Sequence, residues 1–148
     1  MATFATGLAT SNAGFTGPGG GVVYVREAVY TLTAALAEND IIEMIPVAAG
    51  ERVVDLQIVS EDLDTHGTPT ITFDVGDGDD VDRYIDGTTI GQTGGFARLG
   101  DGLATDAEAI AVNKLYTAAD TIDVKVSAAV ATGATTGTIR LRAFLVRG

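Results

Sequence analysis

The stretch Thr121-Ile122-Asp123-Val124-Lys125-Val126-Ser127-Ala128-Ala129-Val130 decides the fold. Ile122, Val124, Val126, Ala128 and Val130 form one set, and Thr121, Asp123, Lys125 and Ser127 the other. Successive side chains of a strand point to opposite faces, so this period of two predicts a half-buried β-strand. Working outward, the same period recurs. Ile139, Leu141, Ala143 and Leu145 stand against Arg140 and Arg142 in residues 138–146. Ile71, Phe73 and Val75 alternate with Thr70, Thr72 and Asp74. Val54, Leu56 and Ile58 are expected to face one way, with Val53, Asp55, Gln57 and Val59 facing the other.

Weaker strand patterns cover residues 22–27, 29–34, 41–47, 83–85 and 109–116. Turn residues separate them, which is how an antiparallel all-β sandwich or jelly roll of about eight strands reads, with a barrel as the other closed solution. Two stretches rich in Ala, Leu and Glu, 32–38 and 104–114, have short helices as their alternative. A chain of 148 residues fits one domain.

Residues 1–21 differ from the rest. They hold no charged side chain and end in Gly17-Pro18-Gly19-Gly20-Gly21. Ordering a backbone costs ~1–2 kcal/mol per residue, and burying Phe4, Leu8 and Phe15 returns only ~1.5–3 kcal/mol each. The expected organisation is therefore an extended, flexible arm and hinge at 1–21, ordered by a partner surface through those three side chains, followed by the β-domain at 22–148.

Composition removes several function classes. Twenty Asp and Glu against nine Lys and Arg give a net charge of −11. Nucleic-acid binding draws much of its affinity from cations placed on phosphates, so it is not expected here. Arg140, Arg142 and Arg147 read more simply as the solvated side of a strand. No apolar run approaches the ~20 residues of a membrane span, and the first residues lack the basic and apolar regions of a secretory signal. The chain has no cysteine, hence no disulfide or thiolate metal site.

Catalytic signatures fail in turn. The one histidine, His66, sits among turn residues, and Ser11, Ser60 and Ser127 have no nucleophile-elbow context. Gly17–Gly21 is followed by Val22-Val23 rather than Lys-Ser/Thr, and it follows no strand, so it is neither a P-loop nor a dinucleotide fingerprint. Paired carboxylates of a glycosidase stay open, but a chain with no Trp and four Tyr offers few sugar platforms.

The densest chemical feature is Asp74-Val75-Gly76-Asp77-Gly78-Asp79-Asp80-Val81-Asp82-Arg83-Tyr84-Ile85-Asp86. Asp77, Asp79, Asp80 and Asp82 are weak candidates for Ca²⁺: oxygen ligands suit that ion, yet the spacing lacks the glycine and closing glutamate of an EF-hand. Gly-Asp-Gly and Asp-Asp are also turn chemistry, and a structural turn is the favoured reading, with no cofactor expected.

Leu32-Thr33-Ala34-Ala35-Leu36, Asp40-Ile41-Ile42-Glu43-Met44-Ile45-Pro46, Gly50-Glu51-Arg52-Val53-Val54-Asp55-Leu56 and Asp62-Leu63-Asp64, together with the Asp-rich run and Ile139-Arg140-Leu141-Arg142-Ala143-Phe144, carry a likeness. Over roughly residues 30–146 the chain resembles small head-associated proteins of tailed bacteriophages. The resemblance implies a β-sandwich or jelly-roll decoration or cement protein, non-enzymatic and located on the outside of the virion. It would bind the major capsid protein lattice and itself, as dimer or trimer. The runner-up is a tail-fibre or adhesin-type module that recognises a receptor or carbohydrate through its loops.

Overall fold

The computed structural model describes residues 22–147. The arm residues Phe4, Leu8 and Phe15 lie outside them. Among the described residues there are eight strands: β1 (Tyr24–Thr31), β2 (Ile41–Val47), β3 (Glu51–Ser60), β4 (Thr72–Gly76), β5 (Ile85–Thr88), β6 (Gly95–Arg98), β7 (Asp120–Ala128) and β8 (Thr138–Arg147). A 3-10 turn spans Ile90–Gln92, and one short helix, α1, spans Asp106–Ala111.

The strands form two four-stranded antiparallel sheets, ordered β1-β8-β3-β6 and β2-β7-β4-β5. The first strand pairs with the last, the second with the second-last and the third with the sixth; the fourth and fifth close the ribbon. A long antiparallel ribbon folded over itself in this way, joined by the β3–β8 and β4–β7 pairings, is a jelly roll.

Alternation explains which faces meet. Ile122, Val124 and Val126 of β7 and Ile139, Leu141, Ala143 and Leu145 of β8 are fully buried between the sheets. Phe73, Val75 and Ile85 join them from β4 and β5. Each large side chain withdrawn from water contributes about 1.5–3 kcal/mol, and this layer holds the sandwich together without covalent links. Pro46 lies on β2, an outer strand of its sheet, the position in which a residue without an N–H is tolerated.

The structure corrects the expected register of β3. Val53 is buried and Val54 exposed, because the pairing with β8 slips between Val53 and Asp55. One extra residue in a bulge reverses the alternation before it, so Val53, not Val54, shares a face with Leu56 and Ile58. Residues 22–27 and 29–34 are not two strands: β1 runs unbroken across Ala28, paired with β8 throughout. The stretch 109–116 contains no strand, since α1 takes its first part. Thr105 and Glu108 start α1 with a reciprocal capping box. The 32–38 segment forms turns rather than a helix, with Leu32 and Leu36 inserted in the core.

Candidate functional site

Three buried carboxylates organise the loops, and each is saturated by donors. Asp77 directly follows β4, within the run that the sequence marks as chemically dense. The turn is tight: its N–H donates to the Asp80 carbonyl at 2.9 Å, and Asp79 and Asp80 N–H groups donate to its Oδ1 at 3.1 Å. Gly76 makes this possible, because a Cβ there would stand 2.0 Å from the Asp80 carbonyl oxygen. On the other side, Oδ2 accepts from Arg83 Nε at 2.7 Å, Tyr116 Oη at 2.9 Å and Lys114 Nζ at 3.2 Å. Burial opposes the Asp77 charge, but the bonds from Arg83, Tyr116 and Lys114 outweigh it and hold the carboxyl below its ordinary range. The Tyr84 and Tyr116 hydroxyls lie 2.6 Å apart, and burial pushes both phenols well above their usual range.

The four aspartates singled out by the sequence do not converge. Asp77 is buried and Asp79 exposed, and both contact Lys114. Asp80 is turned instead toward Arg83, and its carboxyl is raised chiefly by hydrogen bonding with Asp82. The oxygens that do come together, within 4.8 Å of one another, belong to Asp77, Asp79 and Asp120. Asp120 opens β7 and is far away in sequence. The ammonium of Lys114 contacts all three at 3.2, 2.9 and 3.9 Å, so the cation that answers this acidic group is the chain's own lysine. Nothing in the sequence pairs Lys114 with an aspartate 37 positions earlier.

Asp64 performs a similar task at the other end. Its two oxygens accept from the backbone N–H groups of Thr70, Ile71, Ala131 and Thr132 at 2.7–3.2 Å, tying the β3–β4 loop to the β7–β8 loop. Burial opposes its charge, yet these four donors hold its carboxyl far below the usual range. Glu51 is clamped by Arg26 at 2.6 and 2.8 Å, Tyr24 Oη at 2.6 Å and Ala48 N–H at 2.8 Å. The Arg26 bonds come first among the causes that bring its pKa down to about 2. His66 is exposed in its turn, where Nδ1 meets the Thr68 N–H at 3.0 Å, and Ser127 Oγ pairs with Thr72 Oγ1 at 2.9 Å. None of these groups forms a nucleophile-base pair.

The outer faces of the two sheets differ in chemistry. On the β1-β8-β3-β6 sheet the register aligns Val29, Arg140, Val59 and Phe96 in one row across four strands. Glu27, Arg142, Gln57 and Arg98 make the adjoining row. On the β2-β7-β4-β5 sheet, Glu43 lies directly opposite Asp123, and Asp74 opposite Lys125.

Polar groups that anchor loops, on a jelly roll with two contrasting outer faces, make up the candidate site. The chain is 33% identical to a chain described as the capsid of Ralstonia phage GP4, covering 86% of this chain and 85% of that one with a TM-score of 0.72. It is 26% identical to a chain of the cyanophage Pam1 capsid asymmetric unit over the whole of both chains, with a TM-score of 0.76. A chain from the acidic stable capsid of Helicobacter pylori bacteriophage KHP30, 13% identical over 83% of this chain and 93% of that one with a TM-score of 0.51, shares the fold. No protein-family model matches the chain, and no curated protein does. The chain belongs to the phage capsid proteins, as a structural component of the virion.

Proposed function

We propose that this chain is a decoration or cement protein that binds the outer surface of the major capsid protein lattice and braces the head, without catalysing a reaction. The observation that carries this reading is the match to a Pam1 capsid chain over the full length of both chains. The acidity supports an outward position: a net charge of −11 opposes contact with packaged nucleic acid and keeps free copies soluble. Two or three copies associate around a lattice axis, the common solution for identical chains. The uncharged residues 1–21 anchor to a neighbouring subunit through Phe4, Leu8 and Phe15, and no metal or other cofactor takes part.

Co-sedimentation with capsid shells assembled without this chain tests the reading. The full-length protein is expected to pellet with shells, and a version starting at Val22 to bind more weakly. Absence of binding by both forms would remove the decoration reading and favour the receptor-recognition module.

A further inference from the structure

We propose that the outer face of the β1-β8-β3-β6 sheet is the docking face, and that it takes a capsid-protein surface presenting carboxylates beside apolar side chains; this rests on the decoration reading.

Charge separates the two outer faces. The β1-β8-β3-β6 face carries Arg98, Arg140 and Arg142 against Glu27 and Asp55. Glu27 alone answers two guanidiniums, Arg140 at 2.5 Å and Arg142 at 2.6 Å, while Arg98 pairs with Asp55. The face thus keeps a surplus of positive charge in a chain whose net charge is −11. The opposite face has Glu43, Asp86 and Asp123 with Lys125 as the cation among them, while Asp74, opposite Lys125 in the register, is buried and accepts the Gly87 N–H at 2.9 Å. Carboxylates directly opposite one another repel, and the Asp123 carboxyl is raised by burial and by Glu43, Asp120 and Asp77. Such a face favours water over an acidic partner.

The positive face is also the apolar one. Phe96 is 64% exposed, Val25 50% and Val29 48%, and Val59 is exposed beside Phe96. A large aromatic ring in water, next to guanidiniums that already hold a fixed orientation, is the composition of an interface centre rather than of a solvated sheet. The side chains are held in place before contact: β8 is paired on both sides over nearly its whole length, and β3 is paired on both sides over Gln57, Ile58, Val59 and Ser60, the segment that faces Phe96 and Arg98. Binding here therefore costs little ordering.

A second copy is the weaker occupant. A two-fold contact of this face on itself brings together two surfaces that carry the same surplus of positive charge. Stacking it on the acidic face of another copy is attractive, but that contact is head-to-tail and ends in a closed ring only where its rotation closes. An acidic and apolar lattice surface satisfies both the charge surplus and Phe96.

The test uses full-length protein and shells lacking it. Phe96→Glu combined with Val59→Glu is expected to weaken co-sedimentation about tenfold or more, while Ile41→Glu, exposed on the other sheet, binds as wild type. Wild-type binding should also weaken as salt rises toward about 1 M, where charges separated by more than about 3 Å are screened. Circular dichroism checks the fold, and Phe96→Ala serves if the double variant fails to fold. Wild-type binding that survives in the Phe96 variants, or is lost in Ile41→Glu, would overturn the face assignment and leave the decoration reading standing. Variants that convert a free oligomer to monomer yet still bind shells would make the face a self-contact and overturn it as well. No shell binding by wild type would remove both readings together.

Discussion

Lys114 Nζ lies 3.2 Å from the buried Asp77 Oδ2 and 4.6 Å from the centre of the Tyr116 ring. The lysine therefore supplies at the Asp77–Asp79–Asp120 group the positive charge that a bound cation would otherwise supply. Two results are expected. Millimolar Ca²⁺ leaves the melting temperature of the wild type unchanged and releases no binding heat in calorimetry. Lys114→Met destabilises by about 2 kcal/mol in urea unfolding, because hydrogen bonds to charged groups contribute roughly 1.5–3 kcal/mol. Heat evolved by the wild type on calcium titration would return the Asp-rich turn to the metal class.

Tyr116 stands between Asp77 and Tyr84, donating to the first while its oxygen lies 2.6 Å from the second. Tyr116→Phe removes a buried donor from a buried carboxylate and is expected to cost about 1–3 kcal/mol. Tyr84→Phe removes only the outer member of the relay and should cost less. The double variant should fall short of the sum of the two, since both changes break the same bond. Additive losses in a double-mutant cycle would show that the relay is not coupled.

Asp64 replaces a stretch of sheet: four backbone N–H groups from two loops converge on one carboxylate. In Asp64→Asn, one acceptor oxygen becomes an NH₂ donor facing N–H groups. The expected cost is about 2–3 kcal/mol. The discriminating measurement is hydrogen exchange, which should accelerate at the amides of Thr70, Ile71, Ala131 and Thr132 more than in the β7 and β8 ladders. Uniform acceleration would mean that Asp64 serves global stability rather than the loop junction.

The sequence made β7 and β8 legible because nothing interrupts their alternation: every second residue from Ile122 to Val126 and from Ile139 to Leu145 is buried. It misled at β3, where one bulged residue reversed the inward set. It hid β6, whose four residues are too few to show a period. The Asp-rich turn was visible from composition, but Lys114 and Asp120 join it only through the fold. The bulge has its own test. Val53→Asp, at a buried position, is expected to prevent stable folding or cost at least about 3 kcal/mol, whereas Val54→Asp, at an exposed one, should change stability by about 0.5 kcal/mol or less. Equal losses from the two would contradict the slipped register.

Glu51 sets the acid limb of stability. Its folded carboxyl titrates at about 2 instead of 4.5, so between those pH values the folded state binds fewer protons than the unfolded one. The Glu51 contribution is thus complete above about pH 4.5 and is lost as pH falls through about 2. Asp64 and Asp77, also lowered, act in the same sense. Asp123 acts oppositely: its raised pKa means that protonation on acidification relieves a buried charge facing Glu43. Glu51→Gln removes the clamp on Arg26 and is expected to lower stability near neutral pH by about 2–3 kcal/mol. The same variant should lose less further stability between pH 4.5 and pH 2 than the wild type does, measured as the urea midpoint against pH. A parallel acid limb in the two proteins would assign that limb to Asp64 and Asp77 instead.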